Sequence, residues 1–248
     1  EGATPRELAR LMTGEERTLQ VEHREITGET VLQLEGVTAS NDRGVVALSS
    51  VDLVARSGEI LGIAGVSGNG QTELAEVISA MRRVDGGTIT VDGEDVANGL
   101  VRKVTDLGVG HIPEDRIGVG IVGSASVKDN AVLRHYWTEG LSSGVTLFRQ
   151  AVVDFATRLV EVARVQTRSI SATAGQMSGG NQQRLVARRE ALLASRVLIA
   201  VHPTRGLDVH AAQEVQTAVI GQRDRGAAVL FISDDLDEVL LMSDRIAV

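Results

Sequence analysis

The sequence contains no cysteine and few aromatic residues, 2% in all. The first absence excludes disulfides, thiol catalysis and cysteine-ligated zinc, and it fits a reducing compartment. The second removes the stacking platforms on which single-stranded nucleic acid lies. Positive charge is also short, since 25 Lys and Arg stand against 33 Asp and Glu for a formal charge of −8. The basic footprint that a phosphate backbone demands is therefore missing, and nucleic acid is not expected as a partner. No apolar run approaches the roughly 20 residues of a membrane-spanning helix, and Glu1-Gly2-Ala3-Thr4 does not read as a signal peptide. Any membrane link is expected to come through a partner.

What remains is an ordinary globular composition: 248 residues, 43% apolar and 23% charged, enough for one large domain with a buried core. The chain starts without methionine and closes on Arg245-Ile246-Ala247-Val248, an apolar strand cut before its turn, so it reads as a fragment. Thr4-Pro5-Arg6-Glu7 combines a capping hydroxyl, proline at the first helical position and glutamate three after the cap. This predicts a short helix to Met12 ending at Gly14, then a polar linker over Glu15 to Glu29. The division expected is 1–30 for helix and linker and 31–248 for the domain proper.

Apolar or alternating stretches at Val31–Val37, Ser50–Val54, Glu59–Ala64 and Thr88–Val91 predict strands, with a helix over Gln71–Met81 between the last two. Strands at Val109–Ile112, Val197–Val201 and Ala228–Ile232 alternate with helical patterns, which predicts an α/β core with a parallel sheet. Between Gly118 and Asn181 the strand signal disappears. Gln150–Val165 carries helical spacing through Val153, Phe155, Leu159, Val160 and Val162, so a helical insertion is expected there.

Strand Glu59–Ala64 runs into Gly65-Val66-Ser67-Gly68-Asn69-Gly70-Gln71-Thr72 and then a helix. In that setting successive backbone N–H groups wrap an anion, glycines permit the close approach, and the helix N-terminus adds partial positive charge. Thr72 stands where a magnesium-ligating hydroxyl belongs. The lysine that would meet the terminal phosphates is replaced by neutral Gln71, so one full charge of the clamp is lost. A bland alternative is a glycine-rich turn that merely links strand to helix.

A second segment argues against the bland alternative. Met177-Ser178-Gly179-Gly180-Asn181-Gln182-Gln183-Arg184 precedes a helix, with Ser178 at the cap and a glycine pair leaving N–H groups open. It closely resembles the signature motif of ABC-transporter ATPases, in the wording typical of sugar and nucleoside importers. Pro203-Thr204-Arg205-Gly206-Leu207-Asp208-Val209 looks like that family's loop after the second strand motif, and Ile112-Pro113-Glu114-Asp115-Arg116 like its glutamine-loop region. The resemblance covers nearly the whole chain. It implies a P-loop NTPase fold: a mostly parallel sheet with flanking helices, an antiparallel strand subdomain, and an inserted helical subdomain over 118–185 that divides the core into 31–117 and 186–248.

The resemblance also exposes departures. Val201 stands where the family's magnesium-organising carboxylate belongs, His202 where its catalytic glutamate belongs, and Asp234 where a switch histidine senses the terminal phosphate. Glu114 replaces a glutamine, and no aromatic near Val37–Ser40 is available to stack on adenine. His202 is either a candidate base or a strand-end histidine making one hydrogen bond.

The family pairs two such domains head to tail, each ATP lying between one phosphate loop and the other's signature loop. The resemblance thus implies a degenerate second half of a tandem polypeptide. It binds ATP with weak Mg2+ through Gly65, Ser67, Gly68, Asn69, Gly70, Gln71 and Thr72. Ser178, Gly179, Gly180 and Asn181 complete the ATP site of the first ATPase half in trans. Permease subunits, and through them a solute-binding protein, are the further partners implied, at the cytoplasmic face of the plasma membrane. The alternatives are a hydrolysing domain using His202 or Glu114, a nucleotide-free structural module, and a soluble ATPase acting on ribosomes or DNA, which the acidic balance disfavours.

Overall fold

The computed structural model describes residue 21 and residues 26–66 and 68–248. The expected Thr4–Met12 helix, Ser67 and most of the expected linker lie outside the described residues. Strands β1 (Thr30–Ser40), β2 (Val46–Arg56), β3 (Ile60–Ala64), β4 (Gly86–Val91) and β5 (Glu94–Asp95) open the fold. Four of them form an antiparallel sheet in the order β2-β1-β4-β5. β1 and β2 are longer than their apolar stretches predict because the sheet has one wet face and bulges. Gly36 sits at φ 58° and donates its N–H to the Asp52 carboxylate at 2.7 Å, where the register shifts between Leu34 and Val37.

Strands β6 (Val109–Ile112), β9 (Val197–Val201), β10 (Ala228–Ser233) and β11 (Arg245–Ala247) join β3 in a parallel sheet ordered β11-β3-β10-β9-β6. Every residue of β6, β9 and β10 is buried, which is why these strands read as continuous apolar runs rather than alternations. One face packs with Leu32, Ile89, Ile78 and Leu230, the other with Leu185, Val186, Leu198, Val219 and Phe231. Truncating a fully buried Phe such as Phe231 costs about 3–5 kcal/mol.

The helices are α1 (Gln71–Ile78), α2 (Val101–Asp106), α3 (Val127–Val132), α4 (Arg149–Val162), α5 (Gly179–Leu193), α6 (Val209–Asp224) and α7 (Leu236–Met242). α1 stops three residues before the expected Met81 because Ala80 turns left-handed at φ 56°, and α4 stops before Val165 because Arg164 does so at φ 51°. The buried face of α4 is Val152, Ala156 and Leu159, and Val162 is exposed, so the expected stripe is rotated by about one position. The expected loss of strands after Gly118 is also corrected: β7 (Ser142–Ser143) and β8 (Thr146–Leu147) form a small hairpin, too short to show a period of two. α5 runs unbroken through residue 185.

A buried ionic network ties α5 to its surroundings. Arg189 donates to the carbonyls of Gly120 at 2.8 Å and Asn130 at 3.1 Å, and Glu190 pairs with Arg189 and, at 2.5 Å, with Arg134. The His111 N–H on β6 also reaches Glu190 at 3.2 Å. Burial favours a protonated Glu190, yet the two guanidiniums outweigh it and hold the pKa below the ordinary range. Among the described residues no helix is long and apolar enough to cross a membrane.

Candidate functional site

All five strands of the parallel sheet end at one edge, and open α/β sheets bind ligands outside that carboxyl edge. At the end of β3 the chain turns through Gly68 and Gly70, both at φ 93°, into α1. A Cβ at Gly70 would lie 2.7 Å from the Ala47 carbonyl oxygen, so sterics and backbone angle both demand glycine there. Gly70 is also the N-cap of α1 and supplies no side-chain acceptor, which leaves the helix N-terminus open. Thr72, in the first turn, is exposed.

Gln71 is not directed into solvent. Its side chain is buried against its own loop, where the carboxamide donates to the Val66 carbonyl at 3.0 Å and accepts the Asn69 N–H at 3.1 Å. A Cβ at Gly65 would approach that carboxamide nitrogen to 2.9 Å, so Gly65 makes room for it. A neutral oxygen thus occupies one of the N–H donors that an anion nest would use.

Register sets what surrounds the loop. Ser233 pairs with Ala64, Ile232 with Val201, and Ile112 with Ala200, so Gly65, Asp234, His202 and Glu114 emerge side by side. Val201 is buried and offers no oxygen. His202 is left-handed at φ 42° and buried, donating its N–H to the Ile232 carbonyl at 2.7 Å. Its Nδ1 lies 3.3 Å from both the Asp234 N–H and the Asp234 carboxylate. The Asp234 backbone N–H is placed to donate to Nδ1. Glu114 is ion-paired with Arg205, whose N–H donates to the His202 carbonyl at 3.1 Å.

A magnesium ion does not fit this set well. It needs near-octahedral oxygen donors, and the positions offer one exposed threonine hydroxyl, a valine, a Glu114 carboxylate paired with Arg205 and an Asp234 carboxylate beside His202. Among the described residues no three His, Cys, Asp or Glu side chains form a metal-ligand group.

The second predicted segment lies at the N-terminus of α5. Ser178 is the N-cap, exposed, and accepts the Asn181 side-chain amide at 2.9 Å. Asn181 is itself buried, and its carbonyl oxygen accepts the Gln166 N–H at 2.7 Å, so its amide braces the loop rather than pointing outward. Gly180 packs on α6, where a Cβ would meet Ala211 at 3.4 Å. Asp208 caps α6, and the Ala211 N–H it accepts lowers its pKa. Gln183 donates to the Pro203 carbonyl at 2.8 Å and fixes the 203–208 segment to α5.

Sequence reasoning missed three of these features. The Gln71 carboxamide folds back, Glu114 pairs with Arg205, and Arg116 lies over Gly179, where a Cβ would sit 2.7 Å from its guanidinium. The pairing of Glu114 with Arg205 spans 91 residues and has no local signal, although opposite charges in two adjacent strand-end loops are its trace.

Comparison with known proteins follows the same lines. The family described as ABC transporter matches residues 48–205. The glucose import ATP-binding protein TsgD13 of Haloferax volcanii is 44% identical over 98% of this chain and 44% of its own length. The guanosine import ATP-binding protein NupO of Bacillus subtilis is 41% identical over 98% of the chain and 48% of its own. The chain therefore spans about half the length of the curated relatives it matches. Among solved structures, a dimeric bacterial ABC transporter cassette superposes with TM-score 0.72 at 21% identity, covering 87% of this chain and 92% of that one. It supports the cassette architecture alone.

Proposed function

This chain belongs to the ABC transporter family, and we propose that it is the ATP-binding domain of an importer for simple sugars or nucleosides whose own phosphate loop holds nucleotide without hydrolysing it. Its Ser178–Gly180 loop completes the ATP site of a partner half. The observation that carries the reading is the contrast between two places in the chain. Where hydrolysis needs a carboxylate and a base there are buried Val201 and His202, the latter with Nδ1 spent on the Asp234 N–H. Where a partner's phosphates need donors, Ser178 is exposed at the start of α5, with the Arg116 guanidinium beside Gly179.

The partner half is the first ATPase half of the same polypeptide, a reading supported by relatives about twice as long as this chain. Permease subunits supply the membrane contact, with a solute-binding protein beyond them, and the domain works at the cytoplasmic face of the plasma membrane. The strand-rich core is 31–117 with 186–248, and 118–185 is the helical portion that meets the permease. The adenine base rests on apolar contacts: exposed Val45 and Val46 precede Ala47, whose carbonyl approaches Gly70. Thr72 gives magnesium only weak support.

The test uses the protein that carries both halves. Gly179→Asp in this half is expected to lower ATP hydrolysis more than tenfold, and Gln71→Ala less than twofold. The reverse ranking overturns the assignment.

A further inference from the structure

We infer that Glu238 is a positioning residue for the reaction at the partner half's ATP site: its carboxylate fixes the 203–208 loop against the start of α5 and thereby sets where Ser178 stands. The inference rests on the role proposed for the Ser178–Gly180 loop and names what holds that loop in place.

An acid in the first turn of a helix ordinarily serves the helix itself, by facing its N-terminal dipole. Glu238 on α7 has another use. The Asp235 side chain caps α7 by accepting the Asp237 and Glu238 N–H groups, which leaves the Glu238 carboxylate to side chains from elsewhere. Its Oε1 accepts the Thr204 hydroxyl at 2.7 Å and the Gln216 amide of α6 at 2.9 Å. Its Oε2 accepts the Ser233 hydroxyl, at the end of β10, at 3.0 Å. All three donors are neutral, so one charge gathers the loop, α6 and the strand end by charge-assisted bonds.

Thr204 is the contact with a consequence at a distance. Its neighbour Pro203 offers its carbonyl to Gln183 of α5 at 2.8 Å. Farther along the loop, a Cβ on Gly180 would meet Ala211 at 3.4 Å and an Asp208 carboxylate oxygen at 3.9 Å. The first turns of α5, with Ser178 as their cap, therefore rest on a loop held by Gln183 on one side and by Glu238 on the other. Gln216 and Ser233, by contrast, belong to a helix and a strand with their own backbone bonds. Loss of the carboxylate thus frees the loop more than anything else it touches. A misplacement of about 1 Å in a group that orients a reacting phosphate costs on the order of a hundredfold in rate.

Steady-state ATP hydrolysis by the protein that carries both halves tests this, with thermal unfolding run on each variant. Glu238→Ala is expected to lower kcat at least fivefold, and Glu238→Gln, which keeps an acceptor for Thr204, to stay within twofold of the wild type. Thr204→Val is expected to lower kcat at least threefold, and to add less than a twofold further loss to Glu238→Ala because the two remove one contact. Gln216→Leu deletes a comparable hydrogen bond without touching the loop and is expected to change kcat less than twofold. The contrast between Thr204→Val and Gln216→Leu decides the matter even where Glu238→Ala fails to fold. Equal losses from those two variants, or wild-type kcat in Glu238→Ala, overturn the inference, and a tenfold loss in Gly179→Asp then leaves the reading of the Ser178 loop standing. Hydrolysis unchanged by Gly179→Asp overturns both.

Discussion

A carboxamide in place of an ammonium changes the phosphate loop in two ways: a charge disappears, and the side chain acquires an acceptor that satisfies the loop's own Asn69 N–H. Gln71→Lys restores the charge and removes that competitor. A charge-assisted bond exceeds a neutral one by roughly 1.4 kcal/mol, so the variant is expected to bind ATP about tenfold more tightly in a direct titration. The missing lysine is plain in the sequence, but the fold-back of Gln71 depends on where Val66 and Asn69 place their backbone groups. His111 carries a second residue-scale consequence. Burial pushes its pKa down to about 4, with Glu190 opposing and Arg134 assisting. A depressed histidine is neutral in the fold, so its contribution is complete above the unfolded value of about 6.5 and is lost as pH falls toward about 4. The loss amounts to roughly 3 kcal/mol. Urea denaturation at pH 7 and pH 4.5 is expected to show a smaller drop for His111→Gln than for the wild type.

At the scale of elements, what was legible follows burial. β6, β9 and β10 are buried along their whole length and announce themselves as apolar runs. α2 and α3 span six residues each, too few for a helical period to appear, and the rotation of α4 escapes a pattern in which valines lie on both faces. The order of motifs along the chain is readable. Their convergence is not, because it arises from the strand order β3-β10-β9-β6, which brings Gly65, Asp234, His202 and Glu114 from four distant segments to one edge. Helix α5 is the element on which the account leans, and its Arg189 holds both Gly120 and Asn130. Arg189→Met leaves Glu190 with one fewer counter-charge in the interior and two carbonyls without their donor. It is expected to cost about 3–5 kcal/mol, whereas Arg196→Met, which breaks the partly exposed Arg196–Asp92 pair, is expected to cost under about 1 kcal/mol. Thermal unfolding of the two variants makes the comparison. For base binding, Val46→Tyr is expected to tighten adenine nucleotide binding about fivefold by adding a stacking face beside the loop, measured against a nucleotide lacking the base.

At the scale of the whole molecule, the described residues carry the cassette architecture, and the site features they bear are uneven. The described part of the phosphate loop has left-handed Gly68 and Gly70 with the Asn69 N–H taken by Gln71, the carboxyl edge bears Val201 and His202, and Ser178 lies exposed at the start of α5. The behaviour proposed for this domain is to hold nucleotide without turning it over. The most direct test is one calorimetric titration with ATP, run on the wild type and on Gly68→Asp, with phosphate release assayed in the same samples. Gly68 is left-handed with open space around it, so aspartate strains the loop and adds a charge where phosphate binds without disturbing the core. The account predicts binding to the wild type, its loss in the variant, and phosphate release from the wild type no greater than from the variant. Phosphate release by the wild type above that of Gly68→Asp, or equal heats from the two proteins, would contradict it.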